Sequence, residues 1–280
     1  MKKTLFLLML FTLASFLFQI SCEDRSVTPS ETDWDAVKAI ISANPDIFAL
    51  GFFDTQPDTL FYREITQSNA DIEEGWLVEA DDSLHFFDYI TLTWGDSLKG
   101  KFHYYFNRKS YQKPIYSIAL TQAYFEKWGS NFDAYRGWLL KQFSGTVIKT
   151  AEMAWTLEFL NIVSDGVDAT LSEPSFLKLI KKDSTLIFGK GKQVTFTIDL
   201  SSTDTSDFFF LHIKEGDAPQ KIPFTSNGDG TFSAGWITTA DPDIAKGYHH
   251  AIVDVVIQES VTDTTAEYDS KTWGIIYRIK

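Results

Sequence analysis

The apolar positions of this chain change their period as it proceeds. Residues 5–18 form an almost unbroken apolar run. Thr32-Asp33 then open a helical pattern with Trp34, Val37, Ile40 and Ile41 on one face. Asn44-Pro45 ends it, because the residue before proline is pushed out of the α region. Residues 60–65 fit a short strand or a helical turn equally well. From Ser83 the period is two, and residues 86–94 and 101–106 flank a Gly95…Gly100 segment that reads as a hairpin loop. Pairing Asp96 with Gly100 sets Trp94 opposite Phe102 and Leu92 opposite Tyr104, with the apolar side chains on one face. A second hairpin is predicted from 115–127 and 135–149 around Gly129–Asp133. Beyond Thr150 short strands are predicted at 156–163, 193–200, 208–214, 222–225, 231–237, 249–258 and 271–279. Asn227-Gly228-Asp229-Gly230 is the clearest turn among them.

One helix followed by long antiparallel hairpins predicts an α+β N-terminal domain with a curved sheet over residues 33–150. In order and size it is similar to the NTF2-like cone, which implies a cavity. The short strands of 151–280 predict an all-β sandwich. The Asn-Gly-Asp-Gly-Thr-Phe-Ser-Ala-Gly-Trp phrase at 227–236, with the closing strand around Trp273, resembles hairpins of bacterial Ig-like and filamin-like repeats. The expected organisation is thus residues 1–21, 22–32, 33–150 and 151–280 as leader, tether, α+β domain and Ig-like sandwich.

The leader follows from Lys2-Lys3, an apolar core of about 14 residues and a small residue before the cut, the parts of a secretory signal and too short to span a bilayer. Cys22 is the only cysteine, so the chain has no internal disulfide. Gln19-Ile20-Ser21-Cys22 resembles the lipobox of bacterial lipoproteins, with Gln19 where Leu is usual. That resemblance implies lipidation of Cys22, a membrane-lipid partner, and a place on the bacterial cell envelope. Residues 23–32, polar and carrying Pro29, read as a flexible tether.

The chain has 25 Lys+Arg and 38 Asp+Glu. Loss of residues 1–21 removes Lys2 and Lys3 and no acid, leaving 23 basic against 38 acidic residues, a net of −15. Such a balance opposes nucleic-acid binding, which works by neutralising phosphates.

No catalytic constellation, metal site or cofactor motif can be read. His249 and His250 are adjacent on a predicted strand and so point to opposite faces, one half-buried and one exposed. His85, His103 and His212 lack ligand spacing. Asn227, Asp229 and Thr231 alternate like the start of a calcium loop, but the twelfth position is Thr238, not an acid. Gly189-Lys190-Gly191-Lys192 lacks the phosphate-loop spacing. The remaining candidate is the polar-aromatic face of the first sheet, where Tyr89, His103 and Tyr105, with Asp88, would reach the interior of a cone and bind a small ligand. Trp76, Trp128, Trp138 and Trp236 are candidates for stacking on sugars. The expected function is non-catalytic binding or assembly of an unidentified protein or small molecule. The alternative is a ligand-binding or enzymatic cavity within 33–150.

Overall fold

The computed structural model describes residues 32–48, 60–71, 88–150, 156–200, 206–216 and 218–280. Helix α1 (Asp33–Ser42) begins as its sequence dictates. Thr32 Oγ1 accepts from the Asp35 amide at 3.1 Å, while Asp35 Oδ2 accepts from the Thr32 amide at 2.9 Å. Ala36, Val37, Ile40 and Ile41 are its buried face. A single turn, α2 (Pro45–Phe48), follows.

The rest is mostly strand. β1 (Phe61–Asp71), β2 (Tyr89–Phe106), β3 (Lys109–Lys127) and β4 (Trp138–Lys149) run in sequence order as neighbours. β4 then pairs with the last strand, β15 (Ser270–Ile279), which pairs with β14 (His249–Val256). β10 (Phe208–Glu215) and β11 (Ala218–Pro223) finish this ten-stranded sheet. Two short strands join it off this path: β7 (Ile180–Lys181) pairs with β4, and β8 (Leu186–Phe188) runs parallel to β15. A second sheet has the order β12 (Thr225–Ser226), β13 (Phe232–Ile237), β9 (Gln193–Leu200), β5 (Leu157–Ser164), β6 (Val167–Leu171). Two further short helices are α3 (Glu173–Phe176) and α4 (Gln258–Thr262).

The five-stranded sheet packs on the β15–β14–β10 half of the large one, as a sandwich. Leu160, Ile162, Phe196 and Ile198 meet Leu211, Val253, Trp273 and Tyr277 in that core. All eight residues of β14 are buried, because both of its faces are covered. Its odd positions face the sandwich core and its even positions face the inside of a curl. The large sheet bends until its two edges meet: Lys221 Nζ donates to the Phe61 carbonyl at 3.0 Å, and the Phe61 ring packs on Phe208 and Phe210. Helix α1 closes one end of this curl through Ile40, Ile41, Trp94 and Phe125, and α4 sits near the other with Val261 and Tyr268.

The α+β class is overturned, since the molecule is a β-sandwich-like, mostly β fold in which only α1 exceeds five residues among the described helices. A helix-plus-sheet cone of the NTF2 kind is not formed, because the sheet that begins at β1 continues through β4 into the second half of the chain. The Gly95…Gly100 segment is not a loop either. It lies inside β2, one uninterrupted strand of 18 residues, and the hairpin turns at Asn107-Arg108, with φ of 49° and 65°. Both central residues of that tight turn are left-handed, as a type I′ turn requires.

Gly100 instead allows β1 to come close. A Cβ there would stand 2.1 Å from the Glu64 carbonyl oxygen and 2.9 Å from the Ile65 Cα, beside the register shift between Ile65 and Gln67. Gly100→Ala is therefore expected to cost about 1–3 kcal/mol, because backbone has to move. Urea unfolding would measure it. A neutral result would mean β1 is not seated as described.

Candidate functional site

The alternation of β2 sends Ile90, Leu92, Trp94, Leu98, Phe102 and Tyr104 inward, and sends His103 and Tyr105 outward. Antiparallel pairing puts Tyr62 of β1 directly opposite His103, and the two rings stack with centroids 4.4 Å apart and 2° between planes. His103 Nε2 lies 2.9 Å from Glu64 Oε2. On the other side Tyr104 pairs with Tyr111 of β3, with ring centroids 5.4 Å apart. Burial, with Tyr111 and Asp263 adding to it, raises the pKa of the Tyr104 hydroxyl, so at neutral pH it stays a neutral donor and acceptor.

Tyr62, His103, Tyr104 and Tyr111, with Leu60, Tyr105, Ser110 and Gln112, line a surface groove of about 570 Å³. Tyr105 is 49% exposed, so much of its ring is free for a ligand. The groove offers aromatic faces flanked by hydroxyl, amide and imidazole groups. That is the make-up of a site that holds a flat, partly apolar ring and reads its polar edge.

Of the sequence-predicted residues, the structure brings His103 and Tyr105 together here, on the outside of the sheet instead of inside a cone. Tyr89 is separate. It lies fourteen residues back along β2, about 45 Å at strand rise, where its ring meets Tyr124 at 5.6 Å. Asp88 is exposed at that same far end. Cys22, Trp76 and His85 lie outside the described residues. Trp138 and Trp236 are buried, while Trp128 is 61% exposed. His249 and His250 do point to opposite faces, but both are buried, at 6% and 7% exposure, because β14 is covered on both sides. Tyr62, Leu60 and Tyr111 were not singled out by sequence. Leu60 and Tyr62 lie in residues 60–65, which read as strand or turn until the pairing of β1 was known, and Tyr111 lies between the predicted strands 101–106 and 115–127.

A second polar cluster lies inside the curl. Arg63 and Asp254, both fully buried, form a two-pronged pair, with Nη1 and Nη2 each 2.9 Å from a carboxylate oxygen. His212 Nε2 donates to Asp254 Oδ2 at 2.9 Å. Arg63 Nε donates to the Tyr268 hydroxyl at 2.7 Å, and that hydroxyl is hydrogen-bonded to Ser270 Oγ. Burial alone would raise the Asp254 pKa, but the Arg63 charge and the His212 hydrogen bond outweigh it and pull it down to about 2. Burial raises the Tyr268 hydroxyl well above its ordinary value. The cluster joins β1 to β10, β14 and β15, and its Tyr268 end borders a surface groove of about 390 Å³. Its position is that of a clasp.

Among the described residues no group of three or more His, Cys, Asp or Glu is placed to hold a metal ion, and no helix is long and apolar enough to cross a membrane. Comparison of the chain with family models, curated proteins and solved structures finds no match.

Proposed function

We propose that this is an exported, lipid-anchored envelope protein that acts by binding, with the groove beside Tyr62, His103 and Tyr105 as its recognition site. The leader and Cys22 motivate the anchor, and an Ig-like kinship of residues 151–280 fits a presenting module. The observation that carries the binding role is the groove itself: a stacked Tyr62–His103 pair and an exposed Tyr105 around about 570 Å³. A binding role is favoured because the His103 imidazole is already held, stacked on Tyr62 and 2.9 Å from Glu64 Oε2, as part of a fixed recognition surface.

A ring-shaped ligand with a polar edge, such as a sugar or an aromatic side chain of a peptide, suits these surfaces. Saturation-transfer NMR with soluble oligosaccharides and aromatic peptides on the wild-type protein is expected to give binders. Tyr105→Ala should weaken them roughly tenfold, since one stacked ring contributes about 0.5–1.5 kcal/mol beyond its buried area. Unchanged affinity in the variant would move the site elsewhere, and chemical turnover of any binder would end the non-catalytic reading.

A further inference from the structure

The loop joining β3 to β4, residues 128–137, is a fixed projection. Tyr135, Arg136 and Gly137 are consecutive left-handed residues, with φ of 51°, 53° and 80°. Gly137 packs so tightly on Gly129 that a Cβ would stand 2.4 Å from the Gly129 carbonyl carbon. Asp133 Oδ2 accepts from the Ser130 amide at 2.7 Å and its hydroxyl at 3.0 Å. What this frame holds out is apolar: Phe132 is 90% exposed, and Trp128, Tyr135 and Leu139 are exposed around it.

The start of the described chain lies against the same loop. Asp33, the first residue of α1, accepts from Arg136 Nε at 2.7 Å and from Lys127 Nζ at 3.0 Å. Helix α1 thus begins against the base of the 128–137 loop. Only ten residues, 23–32, separate Cys22 from this point, a reach of about 35 Å at full extension.

We infer that the 128–137 loop rests in the headgroup layer of the membrane, with Phe132 inserted and Trp128 and Tyr135 at the interface. This rests on the lipid anchor proposed at Cys22. Aromatic rings with one polar end favour that layer. The bases beside the loop are tied to neighbouring acids: Lys127 and Arg136 pair with Asp33, and Lys141 pairs with Glu126 while its Nζ lies 4.8 Å from the Trp128 ring centroid. The recognition groove is at the opposite end of β3, sixteen residues from Lys127 to Tyr111, about 50 Å along the strand. The membrane contact at the base thus holds the groove outward.

The test uses the full chain purified from bacterial membranes, with its N-terminal mass determined, in vesicles of phosphatidylethanolamine and phosphatidylglycerol carrying brominated acyl chains. Phe132→Trp places a reporter on the loop, and Lys109→Trp places one at the far hairpin. With Cys22 acylated, the emission added by Phe132→Trp should shift to the blue and fall at least about twofold on bromination, while that added by Lys109→Trp stays unchanged. Acylated protein whose Phe132→Trp emission is unquenched, because the loop meets water or another protein, overturns the membrane contact and leaves the anchor standing. An unmodified Cys22 overturns the anchor and this contact with it.

Discussion

Asp254→Ala is expected to destabilise the protein by about 3–5 kcal/mol, because it removes the buried carboxylate that the Arg63 guanidinium grips through both Nη atoms. The side chains of both partners are 0% exposed, so no water takes the place of the carboxylate. His212 loses its acceptor in the same step, and the link from β1 to β14 is cut. A double variant separates these effects. Arg63→Met combined with Asp254→Ala removes the buried guanidinium as well, and it should be more stable than Asp254→Ala alone even though more of the clasp is gone. Urea midpoints of the three proteins at pH 7 decide the matter. A loss below about 1 kcal/mol for Asp254→Ala would be the behaviour of a solvated surface pair and would contradict the burial of this one.

Much of this clasp was beyond the reach of sequence for a physical reason. Arg63 and Asp254 are 191 positions apart, and each is flanked by residues that look like ordinary strand. Nothing local marks a pair that exists only because a sheet has curled onto itself. By contrast, α1 was legible, since its cap and its buried face are properties of ten consecutive residues. The strand bounds of β9 were legible as well, because Val194, Phe196, Ile198 and Leu200 alternate without interruption.

The β2 segment failed in an instructive way. Reading a loop at Gly95…Gly100 put Trp94 opposite Phe102, both even positions. A continuous strand also places every even position on one face, so alternation does not distinguish the two. What decides is the close approach of Glu64 to Gly100, a contact with another strand that the local pattern does not contain. The His249-His250 pair failed similarly. Opposite faces followed from alternation, but burial of both required knowing that β14 has a sandwich core on one side and the curl on the other. For the groove, His103 and Tyr105 were legible as one polar-aromatic face. Tyr89 fell on the same face of the same strand, and strand length then carried it out of reach.

Acidification should expose the second consequence of that doubly covered strand. His250 Nε2 lies 2.7 Å from the Asp46 carbonyl, which can only accept, so Nε2 carries the proton and the neutral ring docks α2. Burial lowers the pKa of His250 from 6.5 to about 4, with His249 and Lys214 acting in the same direction and the Asp46 hydrogen bond opposing them. A folded value below the unfolded one means that the unfolded chain binds more protons in between. The contribution is therefore fully present above pH 6.5 and is lost as pH falls toward 4, an amount on the order of 3 kcal/mol. Asp254 does not confuse this window, because its own loss lies between 3.8 and about 2. His250→Gln retains a donor for Asp46 without a titrating group. The difference in unfolding free energy between wild type and His250→Gln, followed by urea titration from pH 7 to pH 4, should shrink or reverse as the wild type loses its advantage. Parallel curves would show that His250 is charged in the folded protein or reachable by water. The first structure to loosen should be α2 itself, where Ile47 is buried and Phe48 packs on Trp94 at 5.4 Å, so the Trp94 environment should change ahead of global unfolding.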